Sequence, residues 1–272
     1  MPDLIVRERT VQIEGRRMGY REAGAGWPVV LLHAFPLSSR IWDPQLERTP
    51  EGWRFIAADL RGFGASAMGE STPITVDDYA RDIGALMDAL ELDSAVICGL
   101  SLGGYVALAM YRQVAARFAG LVLADTRPQA DTPQAREGRM KMRECLSVEG
   151  PAGVADQMLP ALLSEDTRAR KPELAAMVHG MIAGASAAAI DAAIGAIATR
   201  PDSTPGLDAI SCATLVLVGA LDAITPPADA GAMQRAISRA SLVIVPEAGH
   251  LSNVERPDVF SQALSDFLLA RL

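Results

Sequence analysis

The chain has 272 residues, of which 50% are hydrophobic and 21% charged, so its composition is that of a globular protein rather than a disordered or collagen-like one. The net charge of −8 and the absence of a long Lys/Arg run argue against a nucleic-acid partner. Three widely spaced cysteines form no Cys-x-x-Cys pair, which predicts neither a zinc ribbon nor a disulfide framework and favours a reducing compartment.

The N-terminus lacks the basic start and the apolar stretch of a signal peptide. No segment approaches the ~18 consecutive apolar residues of a membrane span. We therefore expect a cytoplasmic protein with no membrane partner, and the sequence leaves its oligomeric state open.

Short apolar runs alternate with longer amphipathic segments. Residues 11–13 and 17–21 flank Gly15 and predict an antiparallel hairpin at a sheet edge. Helical spacing of apolar residues follows at 79–90 and at 260–268. Fully apolar runs predict strands that are buried on both faces, namely residues 29–35, 55–60, 95–100, 121–124, 215–218 and 242–245. The alternation predicts an α/β fold with a mostly parallel sheet and helices on both faces.

The alternation breaks between residues 127 and 203, where proline-bounded helical patterns replace the strand runs. We interpret residues 127–203 as a helical insertion, and residues 1–126 with 204–272 as the core. Methionines in the insertion favour ordinary core packing, with an adaptable apolar pocket as the alternative; they are Met140, Met142, Met158, Met177 and Met181.

A Gly-x-Ser-x-Gly pattern, formed by Gly99, Ser101 and Gly103, lies between a strand run and a helix-compatible segment. Small residues on both sides of the serine allow a sharp, strained strand-to-helix turn that exposes the hydroxyl above the sheet edge. Ser101 is therefore the predicted nucleophile. The alternative is a glycine-rich turn with a bystander serine.

A serine hydroxyl needs an imidazole to accept its proton at neutral pH, and the chain has three histidines. His250 follows the last strand run, where a loop can reach the carboxyl edge of the sheet, and it is the predicted base. His33 ends an earlier strand run, and His179 falls within a helical stripe of the insertion.

Asp125 and Asp222 each follow a strand run, and either carboxylate could orient the imidazole. Both obey the chain order serine, acid, histidine, so order does not separate them. For the oxyanion of a tetrahedral intermediate we expect two amide donors, Leu102 and Phe35, because Pro36 has no N–H. The alternative for the Phe35 segment is a simple strand-ending turn.

Together these residues resemble the α/β-hydrolase superfamily over nearly the whole chain. Residues 33–36 (HAFP) are similar to its His-Gly-x-Pro oxyanion segment, with alanine replacing glycine, and residues 59–66 (DLRGFGAS) to its Asp-x-Arg-Gly-x-Gly-x-Ser turn. Residues 99–103 are similar to its nucleophile elbow, and Asp222 and His250 stand at its usual acid and base positions. The resemblance implies an α/β-hydrolase fold with a helical cap, a catalytic triad with Asp222 as the acid, and no metal or organic cofactor.

Residues 250–255 (HLSNVE) and 123–126 (LADT) are also similar to 3-oxoadipate enol-lactonases, which commonly carry Ser-Asn-Ser at the position of residues 33–36. The His-x-Phe-Pro form looks more like small carboxylesterases and cofactor-free perhydrolases. Serine at position 101 argues against two related classes of enzyme, the haloalkane dehalogenases and the epoxide hydrolases, which use an aspartate nucleophile at this position.

The resemblance implies hydrolysis of a small-molecule carboxylic ester, in a pocket that the apolar cap would make hydrophobic. The alternatives are an enol-lactone hydrolase, a perhydrolase or acyltransferase, and a non-catalytic small-molecule receptor.

Overall fold

The computed structural model describes residues 5–69 and 73–270, and over these residues it has one eight-stranded sheet. The strands are β1 (Arg7–Ile13), β2 (Arg16–Gly24), β3 (Trp27–Leu32), β4 (Trp53–Ala58), β5 (Ala95–Leu100), β6 (Phe118–Ala124), β7 (Thr214–Gly219) and β8 (Ala240–Val245). They lie in the order β1-β2-β4-β3-β5-β6-β7-β8. β2 is antiparallel to β1 and to β4, and all other pairs are parallel, so the prediction of a mostly parallel sheet is confirmed.

The predicted hairpin forms the first edge of the sheet. Ile13 pairs with Arg16 across a two-residue turn in which Glu14 and Gly15 both have positive φ, 45° and 75°. Positive φ at both turn positions matches the twist of the flanking strands. The strands extend beyond the predicted ranges on both sides of this turn.

β8 differs from its prediction. It forms the opposite edge of the sheet and, within the described residues, pairs with β7 alone. Ile244 is 49% exposed, so the expectation that residues 242–245 are buried on both faces is wrong. An apolar run predicts a strand. How far that strand is buried depends on its position in the sheet order, which the run does not determine.

The helices pack on both faces of the sheet, and several of them follow one another in the chain between the end of β6 and the start of β7. They are α1 (Asp43–Leu46), α2 (Val76–Ala89), α3 (Leu102–Val114), α4 (Pro133–Leu162), α5 (Glu165–Arg170), α6 (Pro172–Ala183), α7 (Ala187–Thr199), α8 (Pro227–Ala236), α9 (Ser252–Glu255) and α10 (Pro257–Leu269). The helices expected near 79–90 and 260–268 are α2 and α10. α2 begins with a capping box, in which Thr75 and Asp78 bond to each other's backbone N–H.

Residues 127–203 contain α4 to α7 and no strand, all of them within the described part of the chain. α4 bends at Gly150, which has a φ of 70° and precedes Pro151. No single helix of the described residues is long and apolar enough to cross a membrane, although α6 and α7, bent by 92°, meet the same test as a pair. The boundaries of the insertion, 127 and 203, stay a prediction.

A buried ion pair joins the two ends of this insertion. Arg200 donates to the Asp131 carboxylate at 2.7 Å, and the two side chains are 3% and 0% exposed. The Arg200 guanidinium also lies over the ring of Tyr105 in α3, 4.1 Å from its centroid. Arg139 adds a second contact to Asp131 at 3.1 Å. Core and insertion are therefore fixed to each other near the stem of the insertion.

We expect Asp131→Asn to destabilise the protein at neutral pH by about 3 kcal/mol, because it leaves the buried Arg200 without its anion. Burial tends to raise the pKa of Asp131, but Arg139 and Arg200 outweigh it and hold the pKa below its usual range. The stabilisation is thus present above the ordinary aspartate pKa and is lost as pH falls through the lowered one.

Thermal unfolding of wild type and variant between pH 7 and pH 3 checks this expectation. The control is Asp191→Asn, which removes an exposed carboxylate of α7 that pairs with Arg143. The difference in stability between wild type and Asp131→Asn should become smaller as the pH is lowered. A gap that is absent at pH 7, or that widens in acid, would contradict the role given to Asp131.

Candidate active site

Ser101 occupies a strained turn between β5 and α3. Its φ is 54° and its ψ is −111°, values that an L-residue adopts only when the surrounding structure imposes them. A Cβ on Gly99 would collide with the backbone of Gly103, and a Cβ on Gly103 would collide with the carbonyl oxygen of Leu32 in β3. Both glycines of the pattern are thus required by close backbone packing.

Ser101, His250 and Asp222 form a continuous hydrogen-bonded chain. The Ser101 hydroxyl lies 2.8 Å from Nε2 of His250, and Nδ1 of His250 lies 2.8 Å from Oδ2 of Asp222. His250 and Asp222 are 1% and 3% exposed, whereas Ser101 is partly exposed. In this arrangement the hydroxyl donates to Nε2 and Nδ1–H donates to the carboxylate, which fixes the tautomer of the ring.

Asp222 is held by its own loop as well as by the imidazole. Its Oδ1 accepts the N–H groups of Ile224 at 2.8 Å and Thr225 at 2.9 Å, and its Oδ2 accepts the Thr225 hydroxyl at 2.6 Å. Burial tends to raise the pKa of Asp222, but the charge of His250 and the hydrogen bonds from His250 and Thr225 outweigh it, so the pKa lies below its usual range. Asp222 is therefore ionised at neutral pH.

Thr225, whose hydroxyl donates to Asp222, is a site residue for which the sequence predicted no role. The available signal was its spacing, because a hydroxyl residue shortly after an aspartate at a strand end is typical of a local side-chain turn.

Asp125, the other candidate acid, is fully buried and has a different set of partners. Its Oδ1 accepts the N–H of Gly219 at 2.8 Å, and its Oδ2 pairs with the Ser252 hydroxyl. Burial, and next the charge of Asp222, raise the pKa of Asp125 well above its usual range. Of the two aspartates, the structure brings Asp222 to the imidazole and uses Asp125 to join the end of β7 to the turn after His250.

The loop after β3 lies beside the elbow, because Leu32 pairs with Gly99 of β5. The predicted oxyanion donors, the amides of Phe35 and Leu102, donate no hydrogen bond to any group of residues 5–69 and 73–270. Both residues are buried, at 4% and 0% exposure. Leu102 directly follows Ser101, and an amide without a partner beside a nucleophile is suited to receive a developing negative charge.

The other two histidines form their hydrogen bonds with residues other than Ser101. His33 is buried; its Nδ1 contacts the Ala34 carbonyl at 2.9 Å, and its Nε2 accepts the Leu60 N–H at 3.0 Å. Burial lowers the pKa of His33 despite the opposing hydrogen bond to Ala34 and charge of Asp59, so the ring is neutral and fixes the loop that carries Phe35. His179 pairs with Asp156 at 3.0 Å.

The turn at residues 59–66 supports the same loop region. The Asp59 carboxylate accepts the N–H of Ser39 at 2.7 Å and that of Ala65 at 2.8 Å. Gly64 has a φ of 53°, and a Cβ there would collide with this carboxylate. These residues therefore shape the backbone around the site and do not meet Ser101.

A cleft of about 750 Å³ opens between the first hairpin, residues 62–65 and the corner between α6 and α7. Its lining includes Leu37, which follows the Phe35 segment, and Met181 of the insertion, but not Ser101. Among the described residues, no group of three or more His, Cys, Asp or Glu side chains is placed to hold a metal ion.

A model of the alpha/beta hydrolase family matches residues 29–263. The chain therefore belongs to this family, and the fold expected from the sequence is confirmed. With this fold and its hydrolase relatives, the protein is a hydrolase.

Similar proteins cover almost the whole chain. An esterase from Thermogutta terrifontis, solved with malate bound, is 38% identical with a TM-score of 0.92, over 97% of this chain and 99% of that one. The enol-lactonase from Burkholderia xenovorans LB400 is 28% identical with a TM-score of 0.88, over 96% of this chain and 100% of that one. The 3-oxoadipate enol-lactonase 1 of Acinetobacter baylyi is 28% identical over 240 residues, which are 88% of each protein.

The raised pKa of Asp125 predicts how the folding stability of the protein changes with pH. A carboxyl whose folded pKa is raised contributes stability that is fully present below its unfolded pKa and is lost as pH rises through the folded one. Asparagine does not ionise; its amide oxygen can accept the Gly219 N–H, and its NH₂ group can donate to the Ser252 hydroxyl oxygen, which in wild type is the donor to Asp125. We expect the melting temperature of Asp125→Asn, relative to wild type, to rise from acid to alkaline pH.

Melting curves across this pH range, with the exposed Asp208→Asn as the control, check the expectation. A relative melting temperature that stays flat or falls with pH would show that Asp125 is ionised in the folded protein.

Proposed function

We propose that this chain is a serine esterase that hydrolyses carboxylic esters through an acyl-enzyme on Ser101. The observation that carries the proposal is the hydrogen-bonded chain from Ser101 through His250 to Asp222, with both links at 2.8 Å. A hydroxyl on a strained turn, an imidazole that accepts its proton and a carboxylate that orients the imidazole are the parts that acyl transfer requires. A receptor would need no such base.

In the first half of the reaction, Ser101 Oγ attacks the ester carbonyl while Nε2 of His250 takes the hydroxyl proton. The carbonyl oxygen becomes an oxyanion, which accepts hydrogen bonds from the Phe35 and Leu102 amides. The intermediate then expels the alcohol, which takes the proton from His250, and the acyl group stays on Ser101.

In the second half, His250 removes a proton from water, which attacks the acyl carbonyl. The intermediate then breaks its bond to Ser101 Oγ and releases the acid, while His250 returns the proton to Ser101 Oγ. Asp222 remains ionised throughout and stabilises the imidazolium that forms in each half. Its lowered pKa supports this role, because a protonated Asp222 could not accept the Nδ1–H hydrogen bond in the same way.

We infer a small ester as the substrate, with the helical insertion as a cap that selects its acyl or alcohol group, and a cytoplasmic location. The esterase relative, at 38% identity, supports this class over the lactonase relatives at 28%. Enol-lactone hydrolysis is the second candidate, since full-length lactonase relatives exist and a lactone passes through the same acyl-enzyme. The two differ in whether the leaving alcohol departs or stays tethered to the acyl group.

Hydrolysis of p-nitrophenyl esters, from acetate to octanoate, tests the proposal. We expect wild type to release p-nitrophenol and Ser101→Ala to lose roughly 10³ to 10⁶ in rate, because the acyl-enzyme cannot form. Ser147→Ala, an exposed serine of α4, is the matched control and should keep the wild-type rate.

Wild-type activity that survives in Ser101→Ala would overturn the proposal. Wild type that leaves every ester intact but opens an enol-lactone would select the second candidate, and no turnover of either class would favour a receptor.

The choice of acid has a test of its own. We expect Asp222→Asn to lose about 10⁴ in kcat, because the amide stabilises the wrong tautomer of His250. Asp125→Asn should stay within a few-fold of wild type, since its carboxyl does not contact the imidazole. Equal losses in both variants would contradict the separate roles assigned to the two aspartates.

A further inference from the structure

Glu255 is a fully buried carboxylate that bridges two distant parts of the chain. It lies at the end of α9 and is 0% exposed. Its Oε1 accepts the N–H of Gly249 at 2.7 Å, and its Oε2 accepts the N–H of Ser164 at 2.9 Å, across 91 residues of sequence. Gly249 immediately precedes His250, whereas Ser164 lies between α4 and α5 of the insertion.

The other neighbour of His250 is also bonded to the insertion. The Leu251 N–H donates to the Leu162 carbonyl at 3.1 Å. Lys171, at the start of α6, donates from Nζ to the Glu255 carbonyl oxygen at 2.8 Å. The residues on both sides of His250 are therefore attached, directly or through one carboxylate, to residues 162–171.

The contact is closely packed. A Cβ on Gly249 would lie 2.8 Å from the Ser164 nitrogen and 2.9 Å from Oε1 of Glu255, both closer than real Cβ contacts allow. A buried carboxylate that accepts two backbone N–H groups forms strong, charge-assisted hydrogen bonds. Any displacement of residues 162–171 must then be passed to residues 249–251 or break these bonds.

We propose that Glu255 is a positioning residue that couples the helical insertion to His250. The proposal rests on the function proposed above, because it gives the insertion a second task besides selecting the substrate. The Glu255 carboxylate fixes the backbone before His250 to the insertion, and the Leu162 carbonyl fixes the backbone after it. Together these bonds keep Nε2 within hydrogen-bond distance of Ser101. Movement of the insertion therefore changes the competence of the base.

The alternative is that Glu255 only completes the short α9 turn. The two accounts differ in what Glu255→Gln does at a distance. The amide has a single acceptor oxygen, so it turns its NH₂ group toward one of the two backbone N–H donors and loses that bond. Asp258→Asn, an exposed carboxylate three positions further on, with a side chain 86% exposed, is the matched control.

Hydrogen exchange followed by mass spectrometry tests the coupling without any substrate. In Glu255→Gln we expect faster exchange in peptides that cover 249–251 and, together with them, in peptides that cover 162–171. Lys171→Met, a milder change at a partly exposed residue, should accelerate the same two regions less and serves if Glu255→Gln does not fold. Faster exchange in one region alone, or in neither, would overturn the coupling.

Steady-state kinetics on the best p-nitrophenyl ester test the consequence for His250. We expect kcat of Glu255→Gln to fall roughly 10- to 100-fold, the effect of a small misplacement of a catalytic group, while KM stays within a few-fold. Glu255→Asp should recover part of the loss, and Asp258→Asn should equal wild type. An unchanged kcat, or a change in KM alone, would overturn the positioning role.

The two proposals fail in different ways. If wild type hydrolyses no ester or lactone, the proposed function fails, while the exchange experiment still decides whether Glu255 couples the two regions. If wild type is active through Ser101 but Glu255→Gln keeps its kcat, only the positioning role fails.

Discussion

The strained backbone at Ser101, with φ of 54° and ψ of −111°, is held in this conformation by the close packing of the residues around it. β5 must approach α3 so closely that neither Gly99 nor Gly103 has room for a side chain, and β3 must lie against the same point. Strain of this kind costs of the order of 1–3 kcal/mol and is sustained by the packing around it. The buried parallel strands supply that packing. As a result the Ser101 hydroxyl lies within hydrogen-bond distance of His250, in the loop after β8.

Three buried carboxyl groups surround the His250 segment, and their environments separate them. Asp222 contacts the imidazole, and although burial tends to raise its pKa, the charge of His250 and the hydrogen bonds to the carboxylate lower it. Asp125 is fully buried, where burial and the charge of Asp222 raise its pKa, and it joins the end of β7 to the turn after His250. Glu255 binds backbone amides on both sides of the boundary between core and insertion. The same side-chain chemistry thus supplies an acid with a lowered pKa, a buried brace with a raised pKa and, in our proposal, a link to the cap.

The parallel strands and the Gly99–Gly103 elbow could be predicted from the sequence, because both depend on local composition and spacing. The partial exposure of β8 could not be predicted, since the burial of a strand depends on its position in the sheet order. The choice between Asp125 and Asp222 needed the resemblance, because both follow a strand and only the fold decides which loop reaches the ring. Glu255 gave no signal, because its partner Ser164 is 91 residues away and contributes only a backbone N–H.

The most direct test of the account is the site of covalent attack. A p-nitrophenyl alkylphosphonate ester, which phosphonylates an activated serine and releases p-nitrophenol, would be incubated with the protein and the adduct mapped by peptide mass spectrometry. The account predicts one equivalent of p-nitrophenol per chain and a single label on Ser101, with no label in Ser101→Ala. A label on another residue, or no label on a protein that hydrolyses esters, would contradict it.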